Sequence, residues 1–275
     1  MEMDSKLFCV NLACGSIYLE NRNWINMDFN CHSKSVKKVN LLGRLPLQDE
    51  SVNVVYCSHF IEHIPKSDIN SFLSEIHRIL VRGGLARFVT PDLEEMCQEY
   101  LTKRRSGDHE KAEFVVLEII DQLVRKYPGG ELGTLYKNVR NNTENKRSLL
   151  SYIYNRTGEN LIQESNQKKN IINKISFNKV MNIIVKHYCK FVSQLFPSAF
   201  KKQNVSLCQV GEKHLWLYDF FSLSKELYAA GFSNVEQMIC NTSNFDDFPF
   251  YPLDLNEDNL PRKGNESMFI EATKL

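Results

Sequence analysis

Short apolar runs separated by polar or turn residues dominate the first 90 positions of the chain. The runs are rich in β-branched and aromatic residues, a composition typical of buried strands. We therefore predict strands at residues 7–12, 24–29, 52–58 and 85–90. The first run stops at a turn of small residues that contains Gly15.

A stripe of apolar residues at helical spacing lies between the last two of these runs. Residues 68–80 carry Ile69, Phe72, Leu73, Ile76, Ile79 and Leu80 at intervals of mostly three and four, which predicts an amphipathic helix. We expect residues 82–84 (Arg-Gly-Gly) to end it, with glycine in a left-handed cap. Strand, helix and strand in alternation favour a parallel sheet with helices on its faces.

This pattern stops after about residue 92. Residues 93–205 are rich in Asn and Lys and predict helices and loops without clear strands. A helix at 217–230 and strands at 235–239 and 268–273 follow. We therefore predict one α/β domain, formed by residues 1–92 and 211–275, and a helical insertion at 93–210, hereafter the insertion.

The charge is unevenly distributed, although the 275-residue chain has a net charge of only +1. Between Lys137 and Lys202 there are 13 Lys or Arg and three acids, about +10, so the insertion is basic. No apolar run approaches the roughly 20 residues that a membrane span needs, and the first residues do not resemble a secretory signal. The eight cysteines have no C-x-x-C pair, which favours reduced thiols and a cytoplasmic location.

A ligand site is predicted at the carboxyl ends of the first two strands, where doubly wound sheets bind ligands. The turn after the first strand, residues 11–16, contains one glycine, Gly15, and Asp28 lies near the end of the second strand. A dinucleotide-binding turn needs three glycines to seat a pyrophosphate. A nucleoside without phosphates, such as S-adenosylmethionine, makes less demand on this turn.

Five segments together resemble a known family. The segments NLACGS, NWINMDF, LPLQDESVNVVYCSHFIEHI, FLSEIHRILVRGGLARFVTPD and HLWLYDFFSLSKELYAAGF are similar to class I S-adenosylmethionine-dependent methyltransferases of the type 11 family. The resemblance covers residues 6–95 and 212–275 and is strongest to the branch associated with bacterial surface-polysaccharide genes. It implies a Rossmann-like α/β fold, with a mostly parallel sheet whose last strand is antiparallel, and S-adenosylmethionine as the cofactor.

The resemblance also implies which residues bind the cofactor. Asp28 would hold the ribose, Asn40 and Leu41 would flank the adenine, and Ser58 and His59 would lie beside the sulfonium. The turn would lie against the methionine part, with the residues Asn11, Ala13, Cys14, Gly15 and Ser16. Two positions depart from the family: Ala13 replaces a usual glycine, and Asn40 replaces a common acid, although its amide oxygen can still accept a hydrogen bond.

The sequence H-F-I-E-H places His59, Glu62 and His63 directly after the strand at 52–58. Three interpretations remain open. His59 or His63 can act as the general base that deprotonates a hydroxyl. The three residues can bind a divalent metal, as in the similar ubiquinone-pathway methyltransferases that have acids at two of these positions. Glu62 and His63 can also simply brace the helix and loop; the match to a metalloprotease pattern is a coincidence in this context.

Further candidates line the predicted cleft. Asp92 and His214 are possible catalytic residues, with a solvated turn acid and a surface histidine as the alternatives. Tyr100, Tyr127 and Tyr136 of the insertion are candidate lid residues over the site.

Residues 177–196 predict a basic amphipathic helix. One face carries Val180, Met181, Ile184, Tyr188, Phe191, Val192 and Leu195, and the other carries Lys179, Lys186 and Lys190. Such a helix either packs on its own domain or makes peripheral contact with an anionic membrane. We do not expect nucleic acid as a partner, because the basic run lacks interleaved aromatic residues and an RNA-binding motif.

The function expected from these features is methylation of a hydroxyl on a sugar, which includes a lipid-linked glycan intermediate. The alternatives are methylation of a small phenol or carboxylate, and an inactive scaffold that binds S-adenosylmethionine. The sequence leaves the oligomeric state open.

Overall fold

A seven-stranded sheet forms the centre of the protein, in a computed structural model that describes residues 8–30, 33–162, 185, 187–189, 191–208 and 210–275. The strands are β1 (Cys9–Leu12), β2 (Trp24–Asp28), β3 (Val36–Lys38), β4 (Val52–Ser58), β5 (Leu80–Pro91), β6 (Ser233–Met238) and β7 (Ser267–Thr273). Their order is β3-β2-β1-β4-β5-β7-β6. β7 is antiparallel to both neighbours, whereas β1 to β5 pair in parallel. The predicted fold class is therefore confirmed.

Helices flank the sheet and make up most of the described part of the predicted insertion. They are α1 (Ile69–Ile79), α2 (Leu93–Ser106), α3 (His109–Val124), α4 (Gly130–Asn141), α5 (Arg147–Thr157), α6 (Ser198–Asn204), α7 (Phe220–Ala229) and the short α8 (Phe250–Leu253). α1 and α7 pack on the sheet and on each other. α3, α4 and α5 enclose a separate apolar cluster around Phe114, Leu149 and Ile153. None of the described helices is both long and apolar enough to cross a membrane.

The buried faces follow from the apolar patterns. All four residues of β1 and five of the seven in β4 are buried, as is typical of central parallel strands that are covered on both faces. The predicted apolar stripe of α1 is buried at Ile69, Phe72, Leu73, Ile76 and Ile79.

Two local features differ from the sequence prediction. Residues 82–84 do not cap α1, because α1 ends at Ile79 and β5 begins at Leu80. A Cβ on Gly84 would lie 2.8 Å from the carbonyl oxygen of Val81, so glycine is required where β5 shifts its register on β4. β3 was not predicted, because it has only three residues and buries only Val36.

A buried arginine joins three parts of the chain beneath the sheet. Arg87 of β5 is fully buried. Its guanidinium lies 2.7 Å from the carboxylate of Asp254, which follows α8, and 2.7 Å from that of Glu271 in β7. It also donates to the carbonyl oxygens of Ile239 and Thr242. This network fixes the segment after β6 against the centre of the sheet.

Replacing Arg87 by leucine should strongly destabilise the protein, because Asp254 and Glu271 would remain buried without a counter-charge. We expect Arg87→Leu to lower the free energy of unfolding by about 3–5 kcal/mol in urea denaturation. Arg82→Leu is the matched control, since Arg82 is an exposed residue of the same strand and should change stability by less than about 0.5 kcal/mol. Equal effects of the two substitutions would contradict this role of Arg87.

Candidate functional site

A cavity of about 200 Å³ opens at the carboxyl end of β1, hereafter the β1 cavity. Six predicted cofactor residues line it: Asn11, Ala13, Cys14, Gly15, Ser16 and Ser58. The pairing of Leu12 with Cys57 explains this, because it sets the turn after β1 beside the end of β4. Tyr56 and Arg262 also line the β1 cavity.

The turn after β1 is held in a left-handed conformation. Ala13 and Gly15 have φ angles of +53° and +55°. The Gly15 amide donates to Oδ2 of Asp28 at 2.9 Å, which ties the turn to the end of β2. Alanine adopts such an angle at a cost of roughly 1–2 kcal/mol, so Ala13 is accommodated but strained. A Cβ built on Gly15 would meet nothing within 4 Å, so the space beside this glycine is open.

The three residues predicted at the ribose and adenine do not line the β1 cavity. Asp28 adjoins it through the bond to Gly15, and its Oδ1 accepts from the Asn30 amide at 2.7 Å. Asn40 is exposed and accepts from the Leu42 amide at 3.2 Å. Leu41 is buried in the core. The predicted adenine contacts of Asn40 and Leu41 therefore stay predictions.

A second cavity of about 310 Å³, hereafter the histidine cavity, lies between the carboxyl ends of β4 and β5 and the insertion. His59, Glu62, His63 and His214 line one side. The insertion lines the other, with Met96, Glu118, Gln122, Arg125, Leu132, Tyr136, Thr157 and Glu159. His59 and Lys263 line both cavities, so the two spaces meet at these residues.

His59 occupies a strained position at this junction. Its φ angle is +51°, which is uncommon for a residue with a side chain and is often found at functional sites. Nε2 lies 3.0 Å from Oγ of Ser267, and Nδ1 lies 3.3 Å from Oε1 of Glu62. Burial and the nearby Lys263 lower the pKa of His59 to about 4, so the imidazole is neutral near pH 7.

Glu62 is a fully buried carboxylate in the short 3₁₀ turn Ile61–His63. Oε2 accepts from Oγ1 of Thr90 at 3.4 Å, whereas Oε1 has no hydrogen-bond partner among the described residues and lies 3.3 Å from Nδ1 of His59. Burial alone would raise the pKa of Glu62, but the imidazoles of His59, His63 and His214 lower it to about 2. The carboxyl is therefore ionised.

His63 and His214 meet edge to face beside this carboxylate, with ring centroids 4.9 Å apart. His63 donates from Nδ1 to the carbonyl oxygen of Lys213 at 2.7 Å. His214 is buried, and burial lowers its pKa to about 4. In the part of the chain that the structure describes, its Nδ1 has no hydrogen-bond partner. The predicted candidate His214 is thus part of the site.

The other candidates have different positions. Asp92 caps α2, accepting from the Glu94 amide at 3.0 Å, and lines neither cavity. Of the three candidate lid tyrosines, Tyr136 lines the histidine cavity, whereas Tyr100 and Tyr127 do not. Residues 177–184, 186 and 190 of the predicted amphipathic helix lie outside the described residues. They include Lys179, Val180, Met181, Ile184, Lys186 and Lys190.

Several residues of the site carried no sequence signal. Glu118 of α3 and Glu266 lie far apart in the chain, yet both line the histidine cavity. Burial and the Glu118 carboxyl raise the pKa of Glu266 well above its usual value. Arg156 of α5 contacts Glu118 at 2.8 Å. This acid pair joins the insertion to the segment before β7.

The acid pair should make stability depend on pH. Since the pKa of Glu266 is higher in the folded than in the unfolded chain, its stabilising contribution is present below about pH 4 and is lost as the pH rises through the folded pKa. We expect the melting temperature of the wild type to fall relative to that of Glu266→Gln between pH 5 and pH 8. A change of 1 kcal/mol corresponds to about 2–4 °C.

Glu113→Gln is the control, because Glu113 is an exposed residue of the same helix as Glu118. Its melting temperature should follow that of the wild type at each pH. A constant difference between the wild type and Glu266→Gln across this range would contradict a raised pKa at Glu266.

One segment of the chain, which includes several strands of the sheet, matches a known protein family. Residues 20–88, from the loop before β2 into β5, match the Methyltransf_11 family, described as a methyltransferase domain. No curated protein matches the chain.

Solved structures of methyltransferases show distant similarity. A SAM-dependent methyltransferase from Archaeoglobus fulgidus is 13% identical, with 98% of this chain and 87% of that chain aligned and a TM-score of 0.42. A possible histamine N-methyltransferase from Thermotoga maritima is 13% identical, with coverage of 98% and 82% and a TM-score of 0.40. For a methyltransferase from Mesorhizobium loti at 17% identity, the alignment covers 31% of this chain and only 47% of that chain, with a TM-score of 0.27.

These structural similarities are too distant to bear on activity. The family match at residues 20–88 supports a class I S-adenosylmethionine-dependent methyltransferase, with S-adenosylmethionine as the cofactor.

Proposed function

We propose that the protein transfers a methyl group from S-adenosylmethionine to a hydroxyl of a sugar or glycan intermediate. The observation that carries the proposal is the position of His59, a neutral imidazole at the junction of the two cavities. One cavity adjoins the predicted cofactor turn, and the other is lined by polar side chains that suit an acceptor with several hydroxyls.

The residues of the β1 cavity fit the cofactor. The turn offers backbone at Ala13 and Gly15 and open space beside Gly15. Each oxygen of Asp28 accepts one amide hydrogen bond, and a carboxylate has further lone pairs that can accept from the two ribose hydroxyls. When bound, S-adenosylmethionine supplies a methyl group that is activated by a positive sulfur. Asn11, Cys14, Ser16 and Ser58 complete the proposed binding set.

His59 is the proposed general base. Its Nε2 lies 3.0 Å from Oγ of Ser267 in this structure and would take the hydroxyl proton of an acceptor in the histidine cavity. Glu62 lies beside Nδ1 and would stabilise the imidazolium that forms. A base of this kind contributes about 10²–10⁴-fold to the rate, and orientation of the reactants supplies on the order of 7–11 kcal/mol. The insertion would exclude water, with Tyr136 over the cavity.

Two further aspects of this function concern the location of the substrate. We propose a cytoplasmic enzyme whose acceptor includes lipid-linked glycan, with peripheral membrane contact through residues 177–196. Tyr188, Phe191 and Leu195, the described large apolar residues of the predicted face, are exposed, which favours contact with a partner or membrane over packing on the protein's own core.

Asp28→Ala should weaken cofactor binding, because it removes a charged hydrogen-bond acceptor and releases the Gly15 amide. We expect micromolar affinity for S-adenosylhomocysteine in the wild type and a roughly 10–100-fold loss in the variant, measured by calorimetry. Asp246→Ala is the control, since Asp246 is exposed and lines neither cavity. A wild type that does not bind the cofactor would overturn the proposed activity.

His59→Gln should lower kcat by about 10²–10⁴-fold while cofactor affinity changes little, because the base acts on the acceptor. The measurement uses methyl-labelled S-adenosylmethionine and a panel of sugar, phenol and carboxylate acceptors. His77→Gln, at a histidine that packs on Phe232 outside both cavities, is the control. Near-normal turnover by His59→Gln would refute the base assignment, and turnover with only phenols or carboxylates would refute the sugar acceptor.

A further inference from the structure

Glu62, His63 and His214 form a cluster of metal-type ligands on one wall of the histidine cavity. One carboxylate oxygen of Glu62 and one ring nitrogen of each histidine lie within 4.8 Å of one another. Glu62 and His63 are adjacent in the chain, whereas His214 comes from the segment before α7. The amides of Leu215 and Trp216 both donate to the carbonyl oxygen of Glu62, which holds the two segments together.

Two buried atoms of this cluster have unused hydrogen-bonding capacity. Oε1 of Glu62 and Nδ1 of His214 are buried and have no hydrogen-bond partner among the described residues. A buried polar group without a partner costs about 1–3 kcal/mol, and more when it is charged. Glu62 and His214 are both more than nine-tenths buried, so solvent does not provide an easy substitute. With Nδ1 of His214 unprotonated, both atoms offer a lone pair, and a metal ion can accept both.

The orientation of His63 favours metal binding. Its Nδ1 donates to the carbonyl oxygen of Lys213, so Nε2 carries the lone pair in the neutral ring. Nε2 lies 4.0 Å from Oε1 of Glu62. Metal-binding histidines usually donate their other ring N–H to a carbonyl or carboxylate, which fixes the tautomer and the ring orientation. Thr90 similarly donates to Oε2 of Glu62.

We propose that Glu62, His63 and His214 bind a divalent transition-metal ion. Two imidazoles and one carboxylate form a donor set that suits Zn²⁺, Fe²⁺ or Co²⁺. Metal–ligand distances near 2.1 Å place tetrahedral ligands about 3.4 Å apart, so closure from the present separations needs side-chain movements of roughly 1 Å. This ligand set differs from His59, Glu62 and His63, the set considered from the sequence. Nε2 of His59 lies against Ser267, and His214 is the third ligand instead of His59.

The ion would have a position open to the acceptor. Three protein ligands leave a fourth coordination position, and all three residues line the histidine cavity. A hydroxyl or carbonyl oxygen of the acceptor could occupy that position, beside His59. Metal binding itself does not depend on the proposed methyl transfer, although the role in acceptor binding does.

Cobalt provides a direct probe. The full chain would be treated with a chelator, dialysed against excess Co²⁺ and then freed of loosely bound ion. We expect about one cobalt per chain by elemental mass spectrometry and visible absorption typical of four- or five-coordinate Co²⁺. Glu62→Gln and His214→Gln should each weaken binding by more than roughly tenfold. His77→Gln, which changes a histidine outside the cavity, should bind cobalt like the wild type.

Thermal unfolding of the same samples distinguishes a variant that has lost a metal ligand from one that no longer folds. Cobalt should raise the melting temperature of the wild type and His77→Gln, and raise it much less in the two ligand variants. Failure of the wild type to retain cobalt, or an equal loss in His77→Gln, would overturn the metal site. Calorimetry with S-adenosylhomocysteine on each sample tests the cofactor site separately, so either proposal can fail while the other stands.

Discussion

The parallel pairing of β1 with β4 is the constraint on which the site depends. Leu12 lies opposite Cys57, so the turn after β1 and the residues after β4 leave the sheet side by side. The sheet extends outward from this pair in both directions, through β2 and β3 on one side and β5, β7 and β6 on the other. The strand order therefore reverses between β1 and β4, which is where doubly wound sheets bind ligands. Both cavities open here.

Later segments of the chain supply the remaining residues of the site. The segment before α7 runs beside the turn at Glu62 and brings His214 into the cavity. The segment before β7 contributes Lys263, Glu266 and Ser267. The insertion covers the opposite wall, and Arg156 with the acid pair fastens it to the core. The polar histidine cavity is therefore formed by parts of the chain that are far apart in the sequence.

Much of the sheet and the cofactor side could be predicted from sequence, because their signals are local. Apolar runs located the strands other than β3, and the small-residue turn located the β1 cavity within a few residues. The glycines at 83 and 84 misled the prediction, since glycine suits a helix cap and a strand irregularity equally well. Several residues of the histidine cavity could not be predicted in the same way. Glu118, Lys263 and Glu266 become neighbours only when the insertion packs, and no spacing in the sequence encodes that contact.

In the function proposed above, the methyl donor and the acceptor meet at His59, between the two cavities. The most direct measurement is a crystal structure of the full chain with S-adenosylhomocysteine, whose thioether sulfur marks the position of the methyl donor. We expect the sulfur in the β1 cavity, beside Ser58 and facing His59, with the ribose on Asp28. A cofactor bound elsewhere, or a sulfur directed away from the histidine cavity, would contradict it.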